Sequence, residues 1–359
     1  MARNRFFGLT NRVLLLIAAL LLVVSYLSMI VNPAKLWLMS LAGLMFVPFL
    51  LLNIFLLVWA FMRRSKAFVI PLLAIIPALF FMGRYAHFRG DEEPPMVPQE
   101  NVLKVITWNV ARFSLSQPSA GVNGFEQCAD SIFAYIREQK PDIVCLQEFK
   151  IKDSRRIKQY LRKKMPGFHS EYYVFTSSNG SAGNLTLSRF PVRNRGVIKF
   201  DGGTNLAIFS DYEHAGKVFR VYNCHFESYN ISLYGILRSL TKSERNIIAD
   251  TGTKMKKSIT RRPKQVDQVF SDIEACPVES FVCGDFNDNP MSYTYYRMTR
   301  GRKDAFVEAG KGLGATFAQL WPMLRIDYVL FPDRFHARSH EIPRLPYSDH
   351  YPVVTEIVL

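Results

Sequence analysis

The chain opens with three long apolar runs and then changes character. Val13 to Val31 is 19 residues without a charge, Leu36 to Phe61 is 26 and Ala67 to Gly83 is 17. Crossing a hydrocarbon layer of about 30 Å takes roughly 20 helical residues, so the first two runs have the length and the third is at the short limit. The pattern predicts helices over 13–31, 36–61 and 67–83, forming an all-α transmembrane region across residues 1–90. Successive uncharged stretches of this length are poorly explained as buried core helices. A cleaved signal peptide fits poorly too, since no small-residue cleavage site precedes the second run.

A polar, proline-rich stretch, Arg89-Gly-Asp-Glu-Glu-Pro-Pro-Met-Val-Pro, then reads as an extended tether, with the linker placed at 91–100. From Asn101 the period shortens. Val102–Val110 is a strand candidate, and Phe125–Gln139 carries apolar residues at helical spacing. Pro141-Asp142 introduces a buried strand at Ile143–Leu146. Further strand-like runs fall at 171–176, 185–188, 206–210, 218–224, 280–283, 326–330 and 353–358, while 231–275 is long, basic and helical in character. Short strands interleaved with helices predict a layered α/β domain over residues 101–359.

Charge sharpens this division. Residues 1–90 hold no Asp or Glu and nine Lys or Arg, so they contribute +9 of the net +15. Arg3, Arg5 and Arg12 flank the first run, one lysine (Lys35) follows it, and Arg63, Arg64 and Lys66 follow the second. By the positive-inside rule the N-terminus and second link are cytoplasmic. Three spans would make the chain a multi-pass integral membrane protein with its C-terminal domain extracytoplasmic; two would reverse that side. No ionisable residue lies in mid-span, which argues against a channel or transporter. The five cysteines, 128, 145, 224, 276 and 283, form no CxxC pair and read as buried thiols.

Polar residues collect at the ends of the C-terminal strand candidates: Asn109, Glu148, His225, Asp285, Asn287, Asp327, Asp349 and His350. Six segments carry them: Thr107-Trp108-Asn109-Val110, Val144-Cys145-Leu146-Gln147-Glu148, Tyr222-Asn223-Cys224-His225-Phe226, Cys283-Gly284-Asp285-Phe286-Asn287, Arg325-Ile326-Asp327-Tyr328-Val329 and Ser348-Asp349-His350-Tyr351-Pro352-Val353. Taken in order, with Gly183–Pro191 ahead of the central strands, they resemble the blocks of the endonuclease/exonuclease/phosphatase family. The resemblance covers residues 101–359. It implies a DNase I-like α+β four-layer sandwich and divalent-metal-dependent hydrolysis of phosphoester, chiefly phosphodiester, bonds, with nuclease activity favoured. It further implies Mg²⁺ (or Mn²⁺) on Glu148 with Asn109 and Asp349 nearby, and a water contacted by Asp285 and positioned by Asn287. His350 pairs with Asp327 and shares the acid/base role with Asp285, and His225 contacts the scissile phosphate.

After Asn109 the continuation Val110-Ala111-Arg112-Phe113 departs from many nuclease members and weakens a match to abasic-site endonucleases. Two basic runs, Lys150–Lys164 and Lys254–Lys264, fit a nucleic-acid backbone, anionic lipid headgroups or a solvated helix face. A sphingomyelinase-like lipid phosphodiesterase therefore stays open, as does a non-catalytic phosphate-binding membrane module. Tyr229–Tyr234 and Thr316–Met323 are the candidate lipid-inserting segments. The partners expected are a phosphate-ester substrate, nucleic acid among them, and a bilayer; no protein partner is predicted.

Overall fold

The computed structural model describes residues 2–88, 98, 101–114, 124–229 and 245–359, with side chains of 2–10 and 245–251 outside the description. Only residue 98 of the expected linker is thus described, and the candidate segment 229–234 is described only at Tyr229. The chain forms two compact units, each drawn from separated stretches. A helical unit holds Met1–Tyr85, Tyr229–Pro263 and Asp288–Tyr296; a larger unit holds Ala86–Ser228, Lys264–Asn287 and Arg297–Leu359.

The helical unit begins with α1 (Ala2–Leu27), α2 (Leu38–Leu44), α3 (Phe46–Met62) and α4 (Val69–Ile75). Three unbroken spans are not what these residues form. Among the described residues no single helix is long and apolar enough to cross a membrane; α2 and α3 qualify only as a pair bent by 59°. Helix α1 stops at Leu27, four residues short of the expected Val31, and gives way to turns ahead of Asn32-Pro33. Met45 leaves helical geometry at φ −86°, ψ 9°, which breaks the second run. In the third, α4 passes into a 3₁₀ stretch, Ile76–Phe80, at Pro77, whose missing N–H interrupts the helical ladder.

Inside this unit Leu22, Phe46, Leu50, Ala74, Ala78 and Met291 form a buried cluster. Leu15, Ala18, Leu56 and Ala60 form a second buried cluster, while many other apolar side chains point outward: Leu20 is 62 % exposed, Phe55 65 % and Phe80 83 %. Polar residues lie within. Ser25, Ser28, Ser40 and Asn53 are all buried.

The larger unit is built on two six-stranded sheets. In chain order the strands are β1 (Ala86–His87), β2 (Val102–Asn109), β3 (Ile143–Ile151), β4 (His169–Ser177), β5 (Gly180–Ser188), β6 (Asn194–Lys199), β7 (Leu206–His214), β8 (Lys217–His225), β9 (Glu279–Asp285), β10 (Arg302–Asp304), β11 (Gly312–Leu313), β12 (Asp327–Pro332), β13 (His336–Glu341) and β14 (Val353–Val358). One sheet runs β13-β14-β2-β3-β5-β4 and the other β10-β12-β9-β8-β7-β6; β1 pairs with β11 apart from both. Each large sheet has one parallel pair at its centre, β2–β3 and β8–β9, and is otherwise antiparallel.

The central strands read as apolar on both faces because both faces are covered. One face contributes Leu103, Val105, Ile143 and Cys145, which pack with Val221, Phe281, Cys283 and Val329 of the other sheet. The opposite face of β2 and β3 packs Ile106, Trp108, Val144 and Leu146 against α5 (Phe125–Gln139) and α6 (Ile157–Lys164) through Ile132, Phe133, Ile136, Ile157 and Leu161. Helix α7 (Arg245–Ala275) adds Val266, Val269 and Ile273, all buried. Two mixed sheets clad by helices match the expected α/β sandwich.

Candidate active site

The parallel pairs bring four strand ends together. Asn109 of β2 lies opposite Gln147 of β3, and His225 of β8 opposite Asp285 of β9. The antiparallel β9–β12 pairing sets Asp285 against Asp327. Residues just beyond the carboxyl ends of parallel strands face a crevice with unpaired backbone around it, which is where such sheets bind ligands.

Asp285 is the hub. Its Oδ2 accepts from Asn109 Nδ2 at 2.9 Å and from Asn287 Nδ2 at 3.1 Å, and its Oδ1 accepts from the Asn287 backbone N–H at 2.8 Å. The Nε2 atoms of His225 and His350 each stand 3.8 Å from Asp285 Oδ2. His350 Nδ1 lies 2.9 Å from Asp327 Oδ2, which fixes the ring. Glu148 Oε1 is 3.9 Å from His225 Nε2, and its Oε2 accepts from Arg112 Nε at 3.1 Å.

These neighbours set the charges. Burial, with the adjacent Asp327 carboxylate, pushes Asp285 up to about 6 against the pull of His350, His225 and Asn109. Burial alone would lower His350, but Asp327 and Asp285 overcome it and hold the ring up to about 10, with Asp349 adding to the effect. Burial likewise opposes ionisation of Glu148, yet His225, Arg112, His350 and the Asn109 amide bring it below the usual carboxylate range. At neutral pH the site thus contains an ionised Glu148, an imidazolium at His350 and a carboxylate at Asp285 that can take up a proton.

The backbone here is strained in a way sequence did not disclose. Ala111, Arg112 and Phe113 have φ of 45°, 57° and 54°, Glu148 has 53° and Asn287 has 52°. Each left-handed non-glycine residue costs about 1–2 kcal/mol, so the surroundings must enforce it. Asn109 Oδ1 accepts from Ala111 N–H, Ser348 Oγ donates to Asn109 O, and the Phe113 ring is clamped edge-on by Phe125 and Phe149. At Glu148 the pairing of β3 with β5 slips between Leu146 and Phe149, and this irregularity turns the carboxylate to the rim.

Beneath the rim lies a polar layer to which sequence reasoning gave no role. Gln147 Nε2 donates to Thr107 Oγ1 at 3.0 Å and to Asn223 Oδ1 at 2.8 Å; Asn223 Nδ2 donates to Leu185 O, and Asn184 Nδ2 to Asn223 O. The network ties one sheet to the other under the catalytic ends. Its signal was a lone amide inside an otherwise apolar strand. Arg112 is a second omission, foreshadowed only by the departure after Asn109.

Of the residues singled out, Asn109, Glu148, His225, Asp285, Asn287, Asp327 and His350 converge through these contacts. Asp349 adjoins His350 in sequence, and its carboxylate lies 3.5 Å from Ser348 Oγ. The tightest group of ligand-type atoms is Asp285, Asp327 and His350, within 4.8 Å of one another. An imidazolium bonded to Asp327 is a poor neighbour for a cation, so this trio suits proton handling. The ionised Glu148 offers the hard oxygen donors that Mg²⁺ prefers, while Asn109 turns its Nδ2 to Asp285 and its Oδ1 to the Ala111 N–H. The first basic run begins at the end of β3 and continues onto α6, the second lies on α7, and these helices bury Ile157, Leu161, Ile259 and Arg262.

A sequence model described as the Endonuclease/Exonuclease/phosphatase family matches residues 106–350, and one described as a domain of unknown function matches residues 4–85. A DNA-(apurinic or apyrimidinic site) endonuclease from Dictyostelium discoideum is 31 % identical over 98 residues, 27 % of this chain and 22 % of that protein. The chain thus spans under a quarter of that relative's length. An endonuclease/exonuclease/phosphatase from Bacteroides vulgatus has a similar structure, with TM-score 0.53, 19 % identity and coverage of 72 % of this chain and 99 % of the other. The human nocturnin catalytic domain, solved with bound sulfate, gives TM-score 0.51 and 18 % identity, over 76 % and 96 % of the two chains.

Proposed function

The chain belongs to the endonuclease/exonuclease/phosphatase family, and from that premise we propose that it hydrolyses phosphodiester bonds with a divalent metal, nucleic acid being the favoured substrate. The observation that carries this is Asp285, a buried carboxylate held by two amides with an imidazole nitrogen on either side at 3.8 Å.

Glu148 and Asn109, with Asp349 directly or through water, would hold Mg²⁺ or Mn²⁺, which supplies Lewis-acid neutralisation of charge on the phosphoryl oxygens. Asp285 accepts the proton of the attacking water, which Asn287 helps to orient. Its ordinary range is too low for that task and burial corrects it. His350, kept charged by Asp327, and His225 donate hydrogen bonds to the phosphoryl group as negative charge grows. This assigns base chemistry to Asp285 and electrostatic support to His350, which the sequence left joint.

The outward apolar side chains of α1, α3 and the 3₁₀ stretch support placing the helical unit in a bilayer, and the charge flanks put the N-terminus and the second link on the cytoplasmic side, so the catalytic residues are extracytoplasmic where residues 67–83 cross and cytoplasmic where they do not. A lipid phosphodiester is the second reading. It draws on the loop that carries exposed Trp321 and Met323 and sets Phe317 edge-on to His350 at 5.1 Å.

The test is turnover by the full chain in detergent on duplex DNA, single-stranded DNA, RNA, bis-p-nitrophenyl phosphate and sphingomyelin vesicles, with Mg²⁺, Mn²⁺ or EDTA. Metal-dependent cleavage of nucleic acid, lost in Glu148→Ala and His350→Ala, is the expected result. Cleavage of sphingomyelin alone would transfer the assignment to lipid. Phosphate binding without turnover would leave a binding module.

A further inference from the structure

Asn287 is the last residue of the larger unit at this point; the next nine, Asp288–Tyr296, pack within the helical unit. Their grip there is dense. Asn289 Nδ2 donates to Gly43 O at the end of α2, at 2.9 Å, and Asn289 Oδ1 accepts from Met291 N–H. Ser28 Oγ, just past α1, stands 2.5 Å from Met291 O and 2.6 Å from Ser25 O, sharing one proton between them. Arg84 Nη1 donates to Pro290 O at 3.1 Å. Asp288 takes Arg262 Nη1 at 2.9 Å, Tyr229 OH at 2.6 Å and Thr294 Oγ1 at 2.8 Å. The Met291 side chain is fully buried among Leu22, Phe46 and Ala78.

Gly43 leaves no tolerance. A Cβ at this position would overlap the Met291 carbonyl and the Ser28 hydroxyl. Helix and loop meet there backbone to backbone.

We propose that the N-terminal helices position the catalytic loop, with Ser28, Gly43 and Asn289 acting as positioning residues for Asn287. The proposal rests on the assignment of Asn287 and Asp285 given above. Asn287 holds a left-handed φ of 52°, a region asparagine enters more readily than most residues and that its neighbours here keep it in. On its N-terminal side Asp285 Oδ1 binds its N–H and Phe226 O binds its side chain at 2.9 Å. On its C-terminal side the restraint is the clamp on residues 288–291. With its N–H and side chain held on one side and the next residue held on the other, Asn287 keeps its amide against Asp285 Oδ2, the atom that receives the proton. A bare anchor needs none of these contacts.

The experiment uses the full chain in detergent with Mg²⁺ and the best substrate of the panel. Two variants remote from the chemistry are compared, Gly43→Ala and Ser28→Ala. Hydrogen exchange is followed by mass spectrometry over residues 283–295. Expected are a kcat lowered about tenfold in Gly43→Ala and about threefold in Ser28→Ala, with KM within about twofold, since the loop orients water and not substrate. Exchange at the amides of Phe286 and Asn287, both hydrogen-bonded in the native chain, should quicken in each variant. Ser28→Ala removes one hydroxyl and serves if Gly43→Ala fails to fold. Unchanged exchange at 286–287 while 288–292 loosens would overturn the proposal, as would full kcat with that loosening. Should the native chain prove inactive on every substrate, the hydrolase reading fails, and exchange at 286–287 still decides the positioning.

Discussion

The two units solve the same burial problem in opposite ways. In the larger unit Leu103, Ile143, Val221 and Phe281 are wholly buried, and the ionisable residues sit at strand ends or in pairs such as Arg325 with Asp304. In the helical unit Phe55 and Phe80 face outward, while Ser28 and Asn53 are interior. Water rewards the first arrangement. The second suits the apolar surroundings proposed for it, because exposed apolar area costs roughly 25 cal/mol per Å² in water. Interior polar groups are then useful for holding helices together, since lipid gives helices no hydrophobic reason to associate. The contrast separates a unit that gathers its polar residues at strand ends from one that turns apolar residues outward.

The sharpest way to break this division is to remove the carboxylate that belongs wholly to the larger unit. Glu148→Ala should lower kcat/KM by about a thousandfold, and EDTA should bring the native chain to the same floor. Far-ultraviolet circular dichroism and membrane fractionation should not change. Equal loss of folded protein would show that Glu148 serves structure.

How much of this was legible depended on where each residue lies in its sheet. The central strands were found because their runs are apolar and β-branched, and the eight strand-end residues followed from the blocks they end. The edge strands β6 and β13 were missed. The first is largely exposed and the second mostly half-buried, so Asn194–Lys199 and His336–Glu341 carry no apolar run to announce them. The bend at Met45 was also hidden, because hydropathy records composition and not backbone direction. The left-handed turn at 111–113 and the irregularity at Glu148 belong to tertiary restraint, which no local pattern encodes.

A smaller effect tests the solvent assigned to the helical unit. Phe55 is 65 % exposed on α3. Phe55→Arg should cost about 3 kcal/mol of insertion if the residue faces lipid. In water the same exposed replacement should stay within about 0.5 kcal/mol. Carbonate-resistant membrane association of the full chain reads the difference. Retained association with unchanged unfolding would remove the bilayer from the comparison.

Smaller again, taken per pH unit, is a pH effect confined to the larger unit. Burial pushes His340 down to about 3, helped by Arg325 and His87 and opposed by Asp304, and its Nδ1 pairs with Thr355 Oγ1 at 3.0 Å. The unfolded chain takes up this proton near pH 6.5 and the folded chain does not until about pH 3. Between those values the unfolded state binds more protons, so stability should fall by about 1.4 kcal/mol per pH unit on acidification and stay flat above 6.5 as far as this residue is concerned. His340→Leu should reduce that slope in chemical unfolding monitored by tryptophan fluorescence. An unaltered slope would mean the ring is reached by water.

The smallest expected effect lies at Asn53, where the two units differ most in what a polar atom is for. Its Nδ2 donates across to Ala18 O of α1 at 2.8 Å and within α3 to Phe49 O at 2.9 Å, while its Oδ1 meets no donor among the described residues. Ala18 O belongs to a helix and retains its own backbone partner, so deleting the amide strands no acceptor. What is lost is one interhelical bond, worth about 0.6 kcal/mol on average in a membrane. What is gained is relief of a buried oxygen that costs about 1–3 kcal/mol where no donor reaches it. Asn53→Leu should therefore leave the helical unit as stable as before or stabilise it slightly, whereas Asn53→Ala should destabilise it through the cavity it leaves. Unfolding in mixed micelles separates the two. Strong destabilisation by leucine would show that Oδ1 has a partner after all, and that the amide fixes helix pairing as Gln147 and Asn223 fix the sheets.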